Sequence, residues 1–171
     1  MAFITQGSTF YSFADYDDVQ DKDSRLFQAN EGLSQDFVEG ALIRSTQRIL
    51  ELLKNTDWWK SYYISESGFV NVVVKQAISV PPLDPFLIIE RQGDFTDLCV
   101  YHCLSNYLYP KVADFGNPDS AERQKISFYD EKFRSMFDEL VGDGDWYDFD
   151  QDGSVTNAEK YPYPVNLVRR R

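Results

Sequence analysis

The chain has 171 residues and a net charge of −11, and aromatic residues make up 16% of it. A chain of this length usually folds as one domain that buries a core of its own. The acidic composition argues against general nucleic-acid binding, because neutralising phosphates requires a basic surface. No early apolar run is typical of a signal peptide, and none approaches the ~18 residues of a membrane span, so we expect a soluble protein made in a cytosol.

Residues 1–32 form the first of three predicted regions. They begin with the mixed segment MAFITQGSTFYSF and continue into an acidic run that contains Asp15, Asp17, Asp18, Asp21 and Asp23. These aspartates do not have the spacing of a known metal-binding motif. We interpret the region as a solvated, acidic lead-in, and the alternative is a short helix near Val19–Gln28.

The second region, residues 33–140, contains the clearest predicted helix, which runs from Ser34 to Lys54. Ser34 is a suitable N-cap, because its hydroxyl can accept a backbone N–H of the first turn. The apolar residues of this helix cover an arc of roughly 200°, about twice the width expected against a single core. The helix is therefore either the central helix of a one-chain bundle or a helix that also contacts a neighbouring subunit. In the second case Ile43 and Leu50 are the candidate contact residues.

A β-hairpin is predicted near residues 58–75. Trp58–Ile64 and Phe69–Lys75 are rich in aromatic and β-branched residues, and Ser65–Gly68 between them is a turn signal. Because an isolated hairpin is marginally stable in water, it must pack on helices of its own chain or pair with a strand of another chain. We interpret its tryptophans as packing residues, since stacking on bases requires more positive charge than Lys60 provides.

A short helix is predicted at Pro85–Arg91, and a longer one from Asp94 to about Tyr109, ending before a proline. The longer helix has apolar residues all the way round, which is typical of a helix buried on every side. It contains the only histidine, His102, beside the only two cysteines, Cys99 and Cys103. We interpret all three as buried core residues, because a metal site would lack a fourth ligand at a usual spacing.

Another helix is predicted from Asn117–Ser120 to Leu140, with Asp119 and Glu122 as a capping pair. Its apolar residues fall within about 100°, so we expect it on the surface of the bundle with a polar outer face.

The third region, residues 141–171, begins with a calcium-type loop. DFDQDGSVTNAE, residues 148–159, matches the pattern D-x-[DN]-x-[DN]-G-x₅-E at every position. The pattern predicts oxygen ligands from Asp148, Asp150, Asp152, the Ser154 carbonyl, Thr156 directly or through water, and both oxygens of Glu159.

The flanks of this loop differ from an EF-hand. Gly142 and Gly144 break the incoming helix, and Pro162 and Pro164 exclude a long exit helix. We therefore predict a single structural loop that a cation, calcium in the first place, can order. The alternative is an acidic turn that binds nothing specific.

The chain ends in YPYPVNLVRRR, a segment with few residues to bury by itself. It is either a disordered end or an arm that docks on a partner. No G-x-S-x-G, P-loop, Rossmann glycine pattern or H-E-x-x-H is present, and no pair of acids stands out for acid–base catalysis. We therefore expect no enzyme activity.

Five segments follow one another along the chain: an acidic lead-in, ANEGLSQDFVEGALIRSTQRIL, TDWW, DFTDLCVYHCLSNYLYPKVADFGNPDS and WYDFDQDGSVTNAEK. In this order, they resemble the head–tail connector (adaptor or neck) proteins of tailed bacteriophages. The resemblance implies a small helical protomer that assembles, commonly as a dodecamer, into a ring under the portal protein in the virion neck. Such a ring extends the DNA channel and offers a surface for the next neck or tail protein.

The resemblance also implies that a C-terminal arm grips the portal, and the matching residues are Tyr161, Tyr163, Val165, Leu167, Arg169, Arg170 and Arg171. The family has no catalytic residues to carry over, and a calcium-type loop is not one of its general features.

The sequence thus predicts a mainly α fold, a small bundle of three to four helices with a β-hairpin and an extended C-terminal arm. The predicted function is that of a structural virion protein, a ring-forming head–tail adaptor. An acidic channel lining would let DNA pass without specific binding. The alternative is a calcium-ordered protein-interaction module with a single dockerin-like loop.

Overall fold

A computed structural model describes residues 3–6, 9–29, 32–60, 82–117 and 120–160. In these ranges the protein is mainly helical with one small antiparallel hairpin, which confirms the predicted fold class. The elements are the strands β1 (Ile4–Gln6) and β2 (Thr9–Ser12) and the helices α1 (Tyr16–Lys22), α2 (Ser24–Ala29), α3 (Gln35–Lys54), α4 (Gln92–Cys103), α5 (Tyr109–Val112), α6 (Ala121–Asp143) and α7 (Asn157–Lys160). A 3-10 turn covers Pro85–Leu87, and a π-helical segment, Leu104–Leu108, joins α4 to α5. Among the described residues, no helix combines the length and the apolar character that crossing a membrane requires.

Helix α4 lies at the centre of the bundle, between α3 and α6. Phe95, Leu98, Cys99, Val100 and Cys103 are all buried, so its apolar residues contact neighbours in every direction. This confirms the predicted full burial of the helix. Its neighbour α6 buries Tyr129, Phe133 and Leu140 and carries polar residues on its outer side, as expected of a peripheral helix.

The N-terminal region is part of the core, so its interpretation as a solvated lead-in is wrong. Phe13, Val19 and Leu26 are each at most 3% exposed. The acidic residues allow this burial in three ways: Asp17 and Asp21 are exposed, Asp15 and Asp18 cap a helix, and buried Asp23 pairs with Lys125. Asp15 accepts the backbone N–H of Asp18 at 3.0 Å, and Asp18 accepts that of Asp15 at 2.9 Å, a reciprocal pair that begins α1.

Helix α3 begins as predicted, with Ser34 accepting the backbone N–H of Phe37 at 3.4 Å. It packs against α4 on one side and against β2 on another, so part of its wide apolar arc is covered within the chain. Polar Thr46 also lies in the buried part of this helix. Its hydroxyl accepts the N–H of Phe13 at 3.2 Å and shares a hydrogen bond of 3.2 Å with Ser12.

The hairpin that the structure describes is formed by β1 and β2, whereas the sequence predicts one near residues 58–75. The prediction of a strand at Trp58 is wrong, because residues 57–60 are helical and the N–H of Lys60 donates to the Thr56 carbonyl at 3.2 Å. Burial of the tryptophan rings against residues 146–149 overrides the β-propensity of this segment. The rest of the predicted hairpin lies outside the described residues.

The helix predicted to stop before Pro110 continues to Val112. A proline in a regular α-helix clashes with the carbonyl four residues earlier. The π-helical segment widens the turn, and the N–H of Tyr109 donates to the Leu104 carbonyl five residues back. The wider turn accommodates the proline without ending the helix.

Helix α6 also extends further than predicted. Ser120 caps it by accepting the N–H of Arg123 at 3.3 Å, whereas Asp119 of the predicted capping pair lies outside the described residues. The helix passes through Gly142, since one helical glycine costs only about 1 kcal/mol. It ends at Gly144, where φ is +59° and any Cβ would lie 2.7 Å from Trp58 Nε1. The short helix predicted at Pro85–Arg91 is reduced to its first 3-10 turn.

Candidate metal centre

The calcium-type loop closes through hydrogen bonds from its own backbone to its aspartates. Asp148 Oδ2 accepts the N–H of Gly153 at 2.9 Å, and Asp150 Oδ1 accepts that of Asp152 at 3.2 Å. Asp152 Oδ1 accepts the N–H of Ser154 at 2.8 Å. These aspartate turns fold the chain back sharply, which requires a φ of +88° at Gly153.

This turn brings three carboxylates together. One oxygen each from Asp148, Asp150 and Asp152 lies within 4.8 Å of the other two, so the group could hold a metal ion. Partial desolvation and the nearby charges of Asp152, Glu159 and Asp148 raise the pKa of Asp150 above its ordinary value. Mutual repulsion of this kind is relieved when a cation binds between the carboxylates.

Asp148 provides an independent indication of ion binding. Its side chain is only 2% exposed, and among the described residues its Oδ1 has no hydrogen-bond partner. Leaving a buried carboxylate oxygen without a donor costs about 1–3 kcal/mol or more. A bound cation would satisfy this oxygen, and the residues present therefore fit a metal site.

Glu159, the predicted closing ligand, lies outside this group of three aspartates. Its Oε1 accepts the N–H groups of Phe149 at 2.7 Å and Asp150 at 3.3 Å, and its Oε2 accepts that of Thr156 at 2.6 Å. Burial would raise the pKa of Glu159, but these backbone hydrogen bonds lower it below its ordinary value. Ser154 is exposed, and its hydroxyl donates to Asp152 at 2.8 Å.

The loop is held by a second segment, residues 87–89, which lies far from it in the sequence. Asp148 donates its N–H to the Leu87 carbonyl at 2.9 Å, and Ile89 donates its N–H to the Trp146 carbonyl at 3.2 Å. Tyr147 pairs with Ile88 in an isolated antiparallel bridge. This pairing fixes the position of the backbone at Asp148. No local pattern in the sequence predicts the pairing.

Aromatic rings support the loop from the other side. The Trp58 ring lies 4.6 Å from that of Trp146 and 5.3 Å from that of Phe149, and Trp59 stacks on Phe149 at 5.8 Å. The loop is therefore anchored in the core at its incoming end, while Asp150 and Asp152 remain exposed.

Arg91 joins the beginning of α4 to the approach to the loop. Its guanidinium lies 2.6 Å from Asp94, 2.7 Å from Glu139, 2.8 Å from Asp143 and 3.4 Å from Asp145. The backbone of Arg91 is in the left-handed conformation, with a φ of +52°. A non-glycine residue in this region is strained, and the four ion pairs offset the strain.

His102, Cys99 and Cys103 are buried, which confirms their interpretation as core residues. His102 Nδ1 shares a hydrogen bond of 3.1 Å with the hydroxyl of Ser45. Burial, with a contribution from the charge of Arg48, lowers the pKa of His102 to about 4. Burial also raises the pKa of the Cys99 thiol to about 12, so the thiol stays protonated and unreactive at neutral pH.

The two predicted subunit-contact residues lie apart from the loop, on α3. Ile43 is half-buried and lines a pocket of about 350 Å³ between this helix and the hairpin, together with Ile4 and Tyr11. Leu50 is also half-buried, at the margin of the core. The predicted portal-docking residues, Tyr161 to Arg171, lie outside the described residues.

No protein-family model, curated protein or solved structure matches the chain. The connection to phage connectors therefore rests on the resemblance of the sequence segments.

Proposed function

We propose that the protein is a structural component of a phage virion, a ring-forming head–tail adaptor that joins the portal to the neck or tail and extends the DNA channel. The order of its sequence segments supports this proposal, as does a mainly helical bundle with an N-terminal hairpin. In this proposal DNA passes through the ring without specific binding, and the segment Tyr161–Arg171 docks on the portal.

The observation that carries the proposal is an apolar surface between α3 and the hairpin. Ile4 is 38% exposed and Tyr11 is 41% exposed, and both line the same pocket as half-buried Ile43. Exposed apolar residues gathered in one place are typical of a protein–protein contact. A neighbouring subunit of the ring is the partner that the proposal assigns to this surface.

Light scattering of the purified chain with the portal protein of the same phage tests the proposal. We expect a complex of ring-sized mass, with multiple copies of the chain on each portal ring. A complex with one copy, or no complex, would contradict the adaptor function.

The ion assigned to the loop is calcium. Asp148, Asp150 and Asp152 offer hard oxygen ligands in a flexible turn, whereas Mg²⁺ requires near-ideal octahedral geometry and retains several waters. The Ser154 carbonyl and Thr156 are the next ligands in the loop pattern. In the adaptor the ion would stiffen the connection between α6 and the C-terminal segment.

Isothermal titration tests the calcium assignment. The wild-type chain should release or take up heat on calcium addition, and the double variant Asp148→Ala/Glu159→Ala should not. A wild-type titration without binding heat would contradict the assignment and leave an acidic turn.

The second candidate function is a calcium-ordered protein-interaction module. Asp148 Oδ1 favours it, because this atom is buried without a hydrogen-bond partner in the described part of the chain, and a bound ion would satisfy it. The two candidates separate in the light-scattering experiment. A one-to-one complex that forms only with calcium supports the module, and a ring-sized complex supports the adaptor.

A further inference from the structure

Glu159 occupies the loop position whose glutamate usually binds calcium with both carboxylate oxygens. Here both of its oxygens accept hydrogen bonds from backbone N–H groups. A carboxylate offers about four lone-pair sites, two on each oxygen. Oε1 uses both of its sites for the N–H groups of Phe149 and Asp150, at 2.7 Å and 3.3 Å. Oε2 accepts the N–H of Thr156 at 2.6 Å, and the Thr156 hydroxyl contributes a further hydrogen bond to this carboxylate.

While the two bonds to Oε1 persist, that oxygen is not available to an ion held by the three aspartates. Calcium takes six to eight oxygen ligands. Three aspartates, one carbonyl, Thr156 and a single Glu159 oxygen would supply six, and the bidentate glutamate that usually closes this type of loop would supply the seventh. A second oxygen from Glu159 becomes available only if Oε1 releases the two backbone N–H groups. The N–H of Thr156 can keep its bond to Oε2, because that oxygen has two lone-pair sites.

We infer that calcium and the backbone N–H groups of Phe149 and Asp150 compete for Oε1 of Glu159, so that the loop has a self-closed form and an ion-closed form. This inference rests on the proposed calcium site and is independent of ring formation. In the self-closed form Glu159 stabilises the loop without metal. In the ion-closed form both oxygens of Glu159 bind the ion, and α7, which carries this residue, shifts toward the three aspartates.

The exchange has a natural reporter in the aromatic cluster. The Phe149 ring lies 5.3 Å from that of Trp58, and Trp59 stacks on it at 5.8 Å. Trp58 Nε1 is buried and, among the described residues, has no hydrogen-bond partner. Gly144 lies between this indole and the end of α7. A Cβ added to Gly144 would be 2.7 Å from Trp58 Nε1 and 3.2 Å from the carbonyl oxygen of Lys160, the last residue of α7. A shift of α7 therefore changes the surroundings of the indole.

Amide hydrogen exchange by NMR, on the full chain with and without calcium, tests the exchange directly. We expect calcium to raise the exchange rates of the Phe149 and Asp150 amides at least tenfold. The Gly153 amide donates to Asp148 at 2.9 Å and should remain protected, and tryptophan fluorescence should change in parallel. Calcium binding with both amides still protected would overturn the inference while leaving the calcium site intact.

Two variants separate the roles of the ligands. Asp152→Ala removes an exposed ion ligand whose hydrogen bond is to Ser154. The Phe149 and Asp150 amides should therefore stay protected from exchange without calcium, and calcium addition should no longer change their exchange rates. Glu159→Gln should lower calcium affinity on the order of a hundredfold, because a neutral amide is a weaker ligand and has a single accepting oxygen. Even without calcium it should remove protection at one end of the side chain, either at Thr156 or at Phe149 and Asp150. Unchanged protection at all three amides in the second variant would contradict the self-closed form. Absence of calcium binding to the wild type would refute the calcium assignment and this inference together.

Discussion

Asp23 lies between α1 and α2 and joins four parts of the bundle. Its carboxylate accepts hydrogen bonds from the hydroxyls of Tyr109 and Tyr129 and from the ammonium of Lys125, the last two at 2.9 Å and 2.7 Å. Burial would raise the pKa of Asp23, but these three donors outweigh burial and lower it. The sequence shows Asp23 only as one acid among several, because its partners come from distant helices.

Asp23→Asn should lower the free energy of unfolding by about 3 kcal/mol, since it leaves Lys125 beside a neutral group in a partly buried site. Urea unfolding at pH 7 measures the loss. Asp21→Asn is the control, because Asp21 is exposed, and its effect should stay within about 0.5 kcal/mol. Equal effects of the two variants would show that the Asp23 contacts do not stabilise the fold.

The charge of Asp23 also predicts a pH dependence. Its folded pKa lies below the ordinary value of 3.8, so its contribution is complete above that pH and is lost as the pH falls further, through the folded pKa. The wild type should therefore lose more stability below pH 4 than Asp23→Asn does. Parallel pH profiles of the two proteins would contradict the lowered pKa.

His102 predicts a second pH effect in a different range. Its folded pKa of about 4 lies below the ordinary 6.5, so the unfolded chain takes up a proton first as the pH falls. The contribution of neutral His102 is complete above pH 6.5 and declines toward pH 4, by up to about 3 kcal/mol. Because it is the only histidine, one NMR titration measures its pKa without assignment. A midpoint near 6.5 would contradict its burial.

At the scale of elements, the reliable predictions came from local signals. The Ser34 cap, the burial of α4 and the aspartates of the loop are all encoded within a few residues of the element that they define. The predicted strand at Trp58 failed because its aromatic residues pack on Trp146 and Phe149, about ninety residues away in the chain. The continuation of the helix past Pro110 was missed for a similar reason, since a buried helix can widen locally where a solvated one would end.

Arg91 shows how one side chain connects elements. It is 22% exposed and pairs with four carboxylates, whereas Arg48 is 54% exposed and pairs only with Glu51 in the described part of the chain. Arg91→Gln should lower the free energy of unfolding by about 1–2 kcal/mol, and Arg48→Gln by less than about 0.5 kcal/mol. Denaturant unfolding of both variants compares the two positions with the same chemical change.

The stabilisation by Arg91 should weaken with salt, because two of its four acidic partners, Glu139 and Asp143, are more than half exposed. The difference between wild type and Arg91→Gln should shrink from 50 mM to 1 M NaCl. A difference that is independent of salt would assign the effect to packing of the arginine stem.

At the scale of the whole molecule, the sequence predicted a mainly α bundle and a candidate metal loop, and it underestimated the N-terminal region. Phe13, Val19 and Leu26 are spaced among acids, so no helical stripe is obvious, yet all three enter the core. The pairing of residues 87–89 with 146–148 joins segments that lie 59 residues apart in the sequence, counted from Ile88 to Tyr147. Such pairings depend on the folded arrangement of several elements and have no local signature.

The proposed subunit contact belongs to this scale. Ile43→Asp and Leu50→Asp should prevent ring assembly, since a carboxylate in an apolar interface is costly to desolvate. Gln47→Asp is the matched control, because Gln47 lies on the exposed side of α3 and should assemble normally. Circular dichroism checks that each variant retains its helices. Normal assembly of both apolar-to-acid variants would make α3 an ordinary core helix.

The adaptor proposal is the central claim, and cryo-electron microscopy of purified virions of the phage to which it assigns the chain is the most direct test. The adaptor proposal predicts a ring of multiple copies between the portal and the next neck or tail protein, with α3 and the hairpin at the contact between neighbouring subunits. A neck built without this chain, or a chain bound there as a single copy, would contradict the account.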